Sequence, residues 1–303
     1  MKEFSYKKAL IKLHYLCNQN CVFCWHHQFG ERIVGASYTK QGIIDRIKEA
    51  KKLGLDMLVL TGGEPTIHEH FMQFATMIHD AGLLLGLATN AAMLAYPQKV
   101  KHLKSMGFSF AHVSFYSYDQ GIDKTITKSD LYDASVNGMR NMIMEEIPFL
   151  VNIVVHRLNI NQLLQTIDFL HGLGVRNLKL NLVEPTGNAA INSSIIPRFS
   201  EGVTSIKAAF SHAKKKGMDV IYDGLPLCTI PGYESAYHDL SGMGIGYISE
   251  AFEDRFYPVH HGNRRKLQLC TSCTKNKECD GIYKRYFEHY SEDEIANVLV
   301  PYR

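Results

Sequence analysis

Short apolar runs alternate with segments of helical period for about the first 220 residues, and this constrains the chain more than any single motif. Strand-like runs fall at 9–16, 57–60, 83–88, 108–115, 149–155 and 178–183. Between the first two, Thr39 is placed to cap a helix that carries Ile43, Ile44, Ile47 and Ala50 on one face and stops at Gly54. A second helix carries Phe71, Phe74, Ala75 and Ile78 and ends at Gly82. A third carries Leu163, Leu164, Ile167 and Leu170 and ends at Gly172. Six such units fall short of a closed eight-stranded barrel. The expected fold is therefore α/β, a partial (β/α)6 TIM-type barrel over residues 1–217, with its chemistry on loops at the carboxyl ends of the strands.

A last helix over 200–216 ends at Gly217, and the composition then changes. Residues 224–282 are rich in Gly, Tyr, His and Cys and show no period. A stretch that long and irregular needs a cross-link to stay compact. Residues 218–303 are accordingly expected to form a small irregular domain held together by its cysteines.

The 303 residues and ordinary apolar content suffice for a full core. A net charge of +3 neither selects nor excludes nucleic acid, which is not expected as a partner. The basic run Arg264-Arg265-Lys266 reads as a solvated loop, with contact to an acidic substrate group as the alternative. No apolar stretch reaches the roughly 18 to 20 residues that span a bilayer, so no membrane is expected. The polar first eight residues lack the apolar core of a leader peptide, which makes the cytoplasm the expected location. In a reducing compartment seven cysteines read as metal ligands before disulfides.

Three of them stand in the run Cys17-Asn18-Gln19-Asn20-Cys21-Val22-Phe23-Cys24, directly after the first strand. Three thiolates at these intervals can hold three irons of a cubic [4Fe-4S] cluster and leave the fourth iron open. The rival is zinc, with His26 or His27 as a fourth ligand. Thr61-Gly62-Gly63-Glu64-Pro65 follows the second strand. Its glycines allow a close backbone approach to a ligand, and the Glu64 carboxylate can accept hydrogen bonds from an ammonium group. Alone, such a triplet is merely a turn. Cys228, Cys270, Cys273 and Cys279 form a second group, able to ligate a second [4Fe-4S] cluster fully or to hold a structural zinc.

The cysteine run, including Phe23 before its last cysteine, resembles the signature of the radical SAM superfamily. The Gly62-Gly63-Glu64 loop resembles the family motif that holds the methionyl amine of S-adenosylmethionine. The resemblance implies Cys17, Cys21 and Cys24 as catalytic cluster ligands. It implies cofactor contacts from Phe23, Gly62, Gly63, Glu64, Asn90 and Ser114, with Thr89 beside Asn90 and with Pro185 and Gly187 in the loop 185–189. Phe23 packs near the adenine or serves as an ordinary packing aromatic.

The late cysteines resemble the twitch and SPASM auxiliary-cluster extensions, though Tyr283 stands where a further cysteine might follow. Cys228 could instead donate a hydrogen atom to a substrate radical, and Tyr222, Asp223 and Tyr233 nearby could face the substrate or simply pack. The function so implied is that of a radical SAM oxidoreductase or maturase. It would cleave S-adenosylmethionine to a 5′-deoxyadenosyl radical and take hydrogen from a peptide or small-metabolite substrate. A second cluster would relay electrons, and a flavodoxin- or ferredoxin-type donor would supply them. A radical SAM epimerase, a small-molecule dehydrogenase and a non-catalytic zinc-stabilised scaffold are the alternatives.

Overall fold

The structure is a computed structural model that describes residues 6–260 and 262–303; residues 1–5 of the polar amino-terminal stretch lie outside it. The elements run β1 (Lys8–Lys12), α1 (Lys40–Lys52), β2 (Met57–Thr61), α2 (Phe71–Asp80), β3 (Leu84–Thr89), α3 (Pro97–Ser105) and β4 (Phe108–Ser114). There follow α4 (Gln120–Thr127), α5 (Tyr132–Met144), β5 (Phe149–Val155), α6 (Leu163–Leu173), β6 (Asn177–Leu182), α7 (Asn188–Ile191), α8 (Phe199–Lys215) and β7 (Asp219–Asp223). The last elements are β8 (Ile245–Ser249), β9 (Tyr257–Pro258), β10 (Arg264–Arg265), β11 (Ile282–Tyr283) and α9 (Glu292–Ala296).

The expected helices form for the expected reasons. Thr39 Oγ1 accepts from Gly42 N at 3.1 Å, and Ile43, Ile47 and Ala50 of α1 are buried. α6 runs past Gly172 and stops at Gly174, whose φ of 109° is the left-handed turn that glycine makes without strain.

The main sheet is ordered β7-β6-β5-β4-β3-β2-β1-β8-β9, with β1 to β8 parallel to their neighbours and β9 antiparallel to β8. Six strands were expected; β7 and β8 extend the array on opposite flanks, and both come from beyond residue 217. Neither carries a clear signal in the sequence. β7 has an aspartate at each end, and β8, which follows Gly242 and Gly244, pairs with β1 more than 230 residues away.

Alternation sorts the strand side chains into two faces. The outer face, with residues such as Ile11, Leu58, Leu87, Val113, Val151 and Leu180, packs in the large core under the helices. On the other face Met57, Val59, Phe110, Leu150, Ile221 and Ile245 form one apolar cluster. Strands near opposite ends of the sheet order meet in that cluster, so the sheet curls and this face is concave. Lys8 Nζ donates to Met243 O at 2.9 Å at the same level. Among the described residues no helix is long and apolar enough to cross a membrane.

Candidate active site

The loop after β1 carries Cys17, Cys21 and Cys24, all free thiols, the first exposed and the others half-buried. Three other segments splint it. From the β2 side, Gly63 N donates to His14 O at 2.7 Å and Glu64 N to Leu16 O at 2.9 Å. A Cβ on Gly62 or Gly63 would run into the carbonyls of His14 and Leu16. The glycine pair expected to meet a ligand therefore meets the backbone of the cysteine loop. From the β6 side, a Cβ on Gly187, at φ +54°, would collide with Cys24 O and Trp25 Cα. Asn188 adds bonds of 2.8 Å to Cys24 O and Cys21 O, and Asn192 Nδ2 donates to Val22 O at 3.0 Å. From α4, Thr127 O and Ile126 O accept from Asn20 N and Val22 N, each at 2.9 Å.

Burial pushes the Cys21 and Cys24 thiols above their usual range, and neighbouring cysteine charge adds to it at Cys21. Clustered thiolates repel one another unless a cation sits between them, which is the chemistry of a metal-binding donor set that releases protons on loading. Among the described residues no three His, Cys, Asp or Glu side chains converge on a single ion. A mononuclear zinc centre needs sulfurs within about 2.3 Å of the metal. Of the two suggested fourth zinc ligands, His26 and His27, the first is wedged between the rings of Tyr15 and Trp25. Three thiols on one loop are the donor set of a multi-iron cluster with one open iron.

Glu64 is 1 % exposed. Its Oε1 accepts from Thr66 N (3.1 Å), Thr66 Oγ1 (2.5 Å) and Thr89 Oγ1 (2.7 Å), while Oε2 accepts from Asn90 N (2.8 Å). Burial raises its pKa, opposed by these hydrogen bonds. Asn90 Nδ2 donates to Asn18 Oδ1 at 2.7 Å. Glu64 and Asn90 thus tie the loops after β2 and β3 to the cysteine loop. Ser114 lies half-buried at the end of β4 on the concave face. Phe23 packs edge-on to Tyr116 (4.9 Å) and tilted to His156 (5.2 Å), the packing role named as its alternative. Pro185 is buried beside Thr186, whose Oγ1 donates to Gln28 Oε1 at 3.0 Å.

Sequence reasoning missed the polar rim above the apolar floor of the concave face. His112, Asn152, Lys179, Asn181 and Asp223 share that face through strand alternation on β4 to β7. His112 Nε2, Asn152 Oδ1 and Asn181 Oδ1 are buried with no hydrogen-bond partner among the described residues. Burial holds His112 neutral, its pKa pushed down to about 3.

The basic run expected to be a solvated loop contributes here as well: Arg264 Nη2 reaches Asp223 Oδ1 at 2.8 Å, its side chain 6 % exposed. Lys179 Nζ lies 3.3 Å from Asp223 Oδ2. Burial alone would raise the Asp223 carboxyl, but the two cations outweigh it and hold it below its usual value. Arg264 Nη1 has no hydrogen-bond partner among the described residues, although the guanidinium lies 3.8 Å over the Tyr283 ring. Lys12, also on this face, is buried against Glu250 and sits 3.7 Å from the centroid of Trp25; burial lowers its pKa to about 8.

The four late cysteines line one cavity of about 380 Å³, counting space open to solvent, together with Leu227, Ile282 and Tyr302. Cys228 is buried and the other three are half-buried. Burial pushes the Cys228 thiol to about 11, and Cys279, Cys270 and Cys273 add to that. The tertiary fold brings Cys228 to a group more than 40 residues away in the chain. Tyr222, on the outer face of β7, points away from the concave face, and Tyr233 is packed against Phe210.

The profile of the Radical SAM superfamily matches residues 11–170, over half of the chain. The chain belongs to the radical SAM superfamily. Membership implies a [4Fe-4S] cluster and S-adenosylmethionine. Among curated relatives, the probable GTP 3′,8-cyclase of Sulfurisphaera tokodaii is 30% identical over 185 residues, covering 60% of this chain and 58% of that protein. The probable GTP 3′,8-cyclase of Saccharolobus solfataricus is 29% identical over 180 residues, 58% of this chain and 57% of that protein. The matches thus span less than two thirds of these relatives.

Among solved structures, Streptococcus suis SuiB bound to S-adenosylmethionine superposes with a TM-score of 0.68 at 14% identity, over 95% of this chain and 75% of that one. Native anSMEcpe with bound AdoMet gives 0.66 at 12% identity, over 96% and 99%. These likenesses establish the fold alone. The relatives' names, cyclases of a nucleotide, overturn the expected oxidoreductase or maturase that takes hydrogen from a peptide. Family membership sets aside the non-catalytic zinc scaffold. The error has a plain cause: the cysteine and glycine motifs specify the cofactor chemistry and carry no information about the substrate.

Proposed function

We propose that this chain is a radical SAM enzyme that holds a purine nucleotide, GTP or a close relative, on its concave face and closes a ring within it. The reaction is borrowed from the name of the relatives at 29–30% identity. The observation that carries the reading is the polar rim. Asn152 Oδ1 and Asn181 Oδ1 are acceptors without donors, suited to the N–H edge of a base. Arg264 Nη1 is a donor without an acceptor, in a trio of two cations and one carboxylate that keeps net positive charge for a phosphate. His112, held neutral, adds a hydrogen-bonding atom without charge.

Cys17, Cys21 and Cys24 would hold the first cluster. Glu64, with Asn90, Ser114 and Gly187 around the same mouth, would orient S-adenosylmethionine. When bound, the pair supplies a carbon radical able to take hydrogen from an unactivated carbon. The protein's own part is positioning and exclusion. The apolar floor of Met57, Val59, Phe110 and Leu150 keeps water from the far side of the substrate, and the three splints hold the cysteine loop still while it works.

Cys228, Cys270, Cys273 and Cys279 would hold a second, fully ligated cluster in a twitch-like segment that shares its strands β7 and β8 with the partial barrel. A flavodoxin- or ferredoxin-type donor would supply electrons. After anaerobic reconstitution about eight irons and matching sulfide per chain are expected, falling to about four in Cys273→Ala. With reductant and S-adenosylmethionine, GTP should stimulate release of 5′-deoxyadenosine and yield a cyclised nucleotide. The nucleotide reading is lost if GTP neither stimulates release nor binds, and the radical SAM assignment of the first cluster is lost if Cys21→Ala releases as much as the unaltered protein.

A further inference from the structure

The basic run Arg264-Arg265-Lys266 sends its three cations to three different places. Arg264 meets Asp223, while Arg265 meets Glu292 and lies 4.4 Å over the Phe287 ring. Lys266 goes to the cavity of Cys228, Cys270, Cys273 and Cys279 and forms part of its wall. Its Nζ donates to Asn276 O, another wall residue, which stands between Cys273 and Cys279 in the chain. Its stem lies against Gly281, just past Cys279, where an added Cβ would come within 3.1 Å of Lys266 Cγ. The side chain is therefore laid along the cysteine group and tied down at its tip. The charges differ too. Both arginines have carboxylate partners, whereas among the described residues the Lys266 ammonium meets only a neutral carbonyl. Lys275, the other cation in the wall, is balanced by Glu278 at 2.8 Å. One unbalanced positive charge thus stands beside four thiols. Burial raises the Cys270 thiol, and the Lys266 charge is among the influences that oppose it.

We propose that Lys266 is the counter-charge of the four-cysteine site, and that its ammonium raises the reduction potential of the cluster bound there. The inference rests on the second-cluster reading above. Four thiolates give such a cluster net negative charge, and an accepted electron adds to it. A cation in the wall stabilises the reduced state more than the oxidised one, because Coulomb attraction grows with the charge it meets. Lys266 is exposed on its outer side, so salt weakens the effect.

The test is Lys266→Met, which keeps an unbranched stem against Gly281 and removes the charge, in anaerobically reconstituted full-length protein followed by potentiometric EPR. The reduced-to-oxidised ratio of the late cluster at fixed potential should fall about threefold, a shift of about 28 mV to more negative values for one electron. Lys266→Arg should restore the midpoint, and Lys275→Met should move it less, since Glu278 already balances that lysine. The shift in Lys266→Met should narrow as ionic strength rises from about 0.05 to about 0.5 M, which a packing role alone would not produce. The cluster at Cys17, Cys21 and Cys24 should keep its midpoint throughout. Lys266→Gln repeats the measurement should the Met variant not load, and loss of the late cluster in both assigns Lys266 to assembly and overturns the inference. Loaded variants with an unchanged late midpoint, or an Arg variant that restores nothing, overturn it while leaving the second cluster in place. An unaltered protein that loads only about four irons overturns the second cluster and the inference with it.

Discussion

Gly62 and Gly63 show how the want of a side chain lets one loop lie against another. Each lacks a side chain because the carbonyls of His14 and Leu16 occupy the space a Cβ would need. Gly63→Ala is expected to push the Glu64 loop off the cysteine loop, costing about 1–3 kcal/mol as an overpacked site does. Iron incorporation at the first cluster should drop with it, read by iron analysis beside a denaturation curve. Glu64 supports a second expectation. Glu64→Gln exchanges one carboxylate oxygen for an NH2 that cannot accept, leaving at least one donor among Thr66, Thr89 and Asn90 unmet. The cost is about 1–3 kcal/mol, measurable by urea unfolding, and binding of S-adenosylmethionine should weaken in parallel.

Between elements, α5 sets the position of the loop that carries Asn90. Gly138 lets the helix press on the backbone of Ala91, where a Cβ would collide with the Ala91 carbonyl, and Asn141 Nδ2 holds Leu94 O at 2.9 Å. Ala91 itself is held at φ 62°, a left-handed conformation that costs a side-chain-bearing residue energy. Helix propensity alone would make Gly138→Ala stabilising by about 1 kcal/mol. The expectation here is the opposite sign, a loss of about 1–3 kcal/mol with weaker S-adenosylmethionine binding, because the helix cannot retreat from that loop without moving Asn90. Isothermal titration with S-adenosylmethionine, beside thermal unfolding, checks both parts.

At the scale of the molecule, the carboxyl-terminal third extends both flanks of the sheet that the first two thirds begin. The buried pair of Lys12 and Glu250 belongs to this extension, joining β1 to the chain just after β8. Glu250→Ala leaves a buried ammonium without its partner and should cost about 3–5 kcal/mol, whereas replacing both by apolar residues of similar size should cost far less. A double-mutant cycle reads the difference. The curled sheet also buries His112 and His156 as neutral rings, each with its pKa lowered by burial to about 3. The unfolded chain takes up these protons near pH 6.5 and the native one does not. Their stabilising contribution is therefore present above pH 6.5 and is lost as pH falls toward 3, by about 1.4 kcal/mol per pH unit for each ring. Urea midpoints of the metal-free protein between pH 7 and 4 should show this slope, and it should flatten in a His112→Asn, His156→Phe variant.

What the amino-acid order determined by itself is local and chemical. The βα alternation, the stops at Thr39 and Gly54 around the first helix, the cysteine run and the Gly62–Glu64 loop could be read because each is a pattern of neighbours whose physics is complete within a few residues. Tertiary structure alone decided which strands flank the first six, that Gly62, Gly63 and Gly187 face backbone, and that Arg264 is drawn in to Asp223. It also decided that Cys228 shares a cavity with cysteines more than 40 residues away and that a polar rim stands above the apolar floor. These are long-range meetings. They depend on how the sheet curls and on which groups burial deprives of water, and no spacing along the chain encodes either.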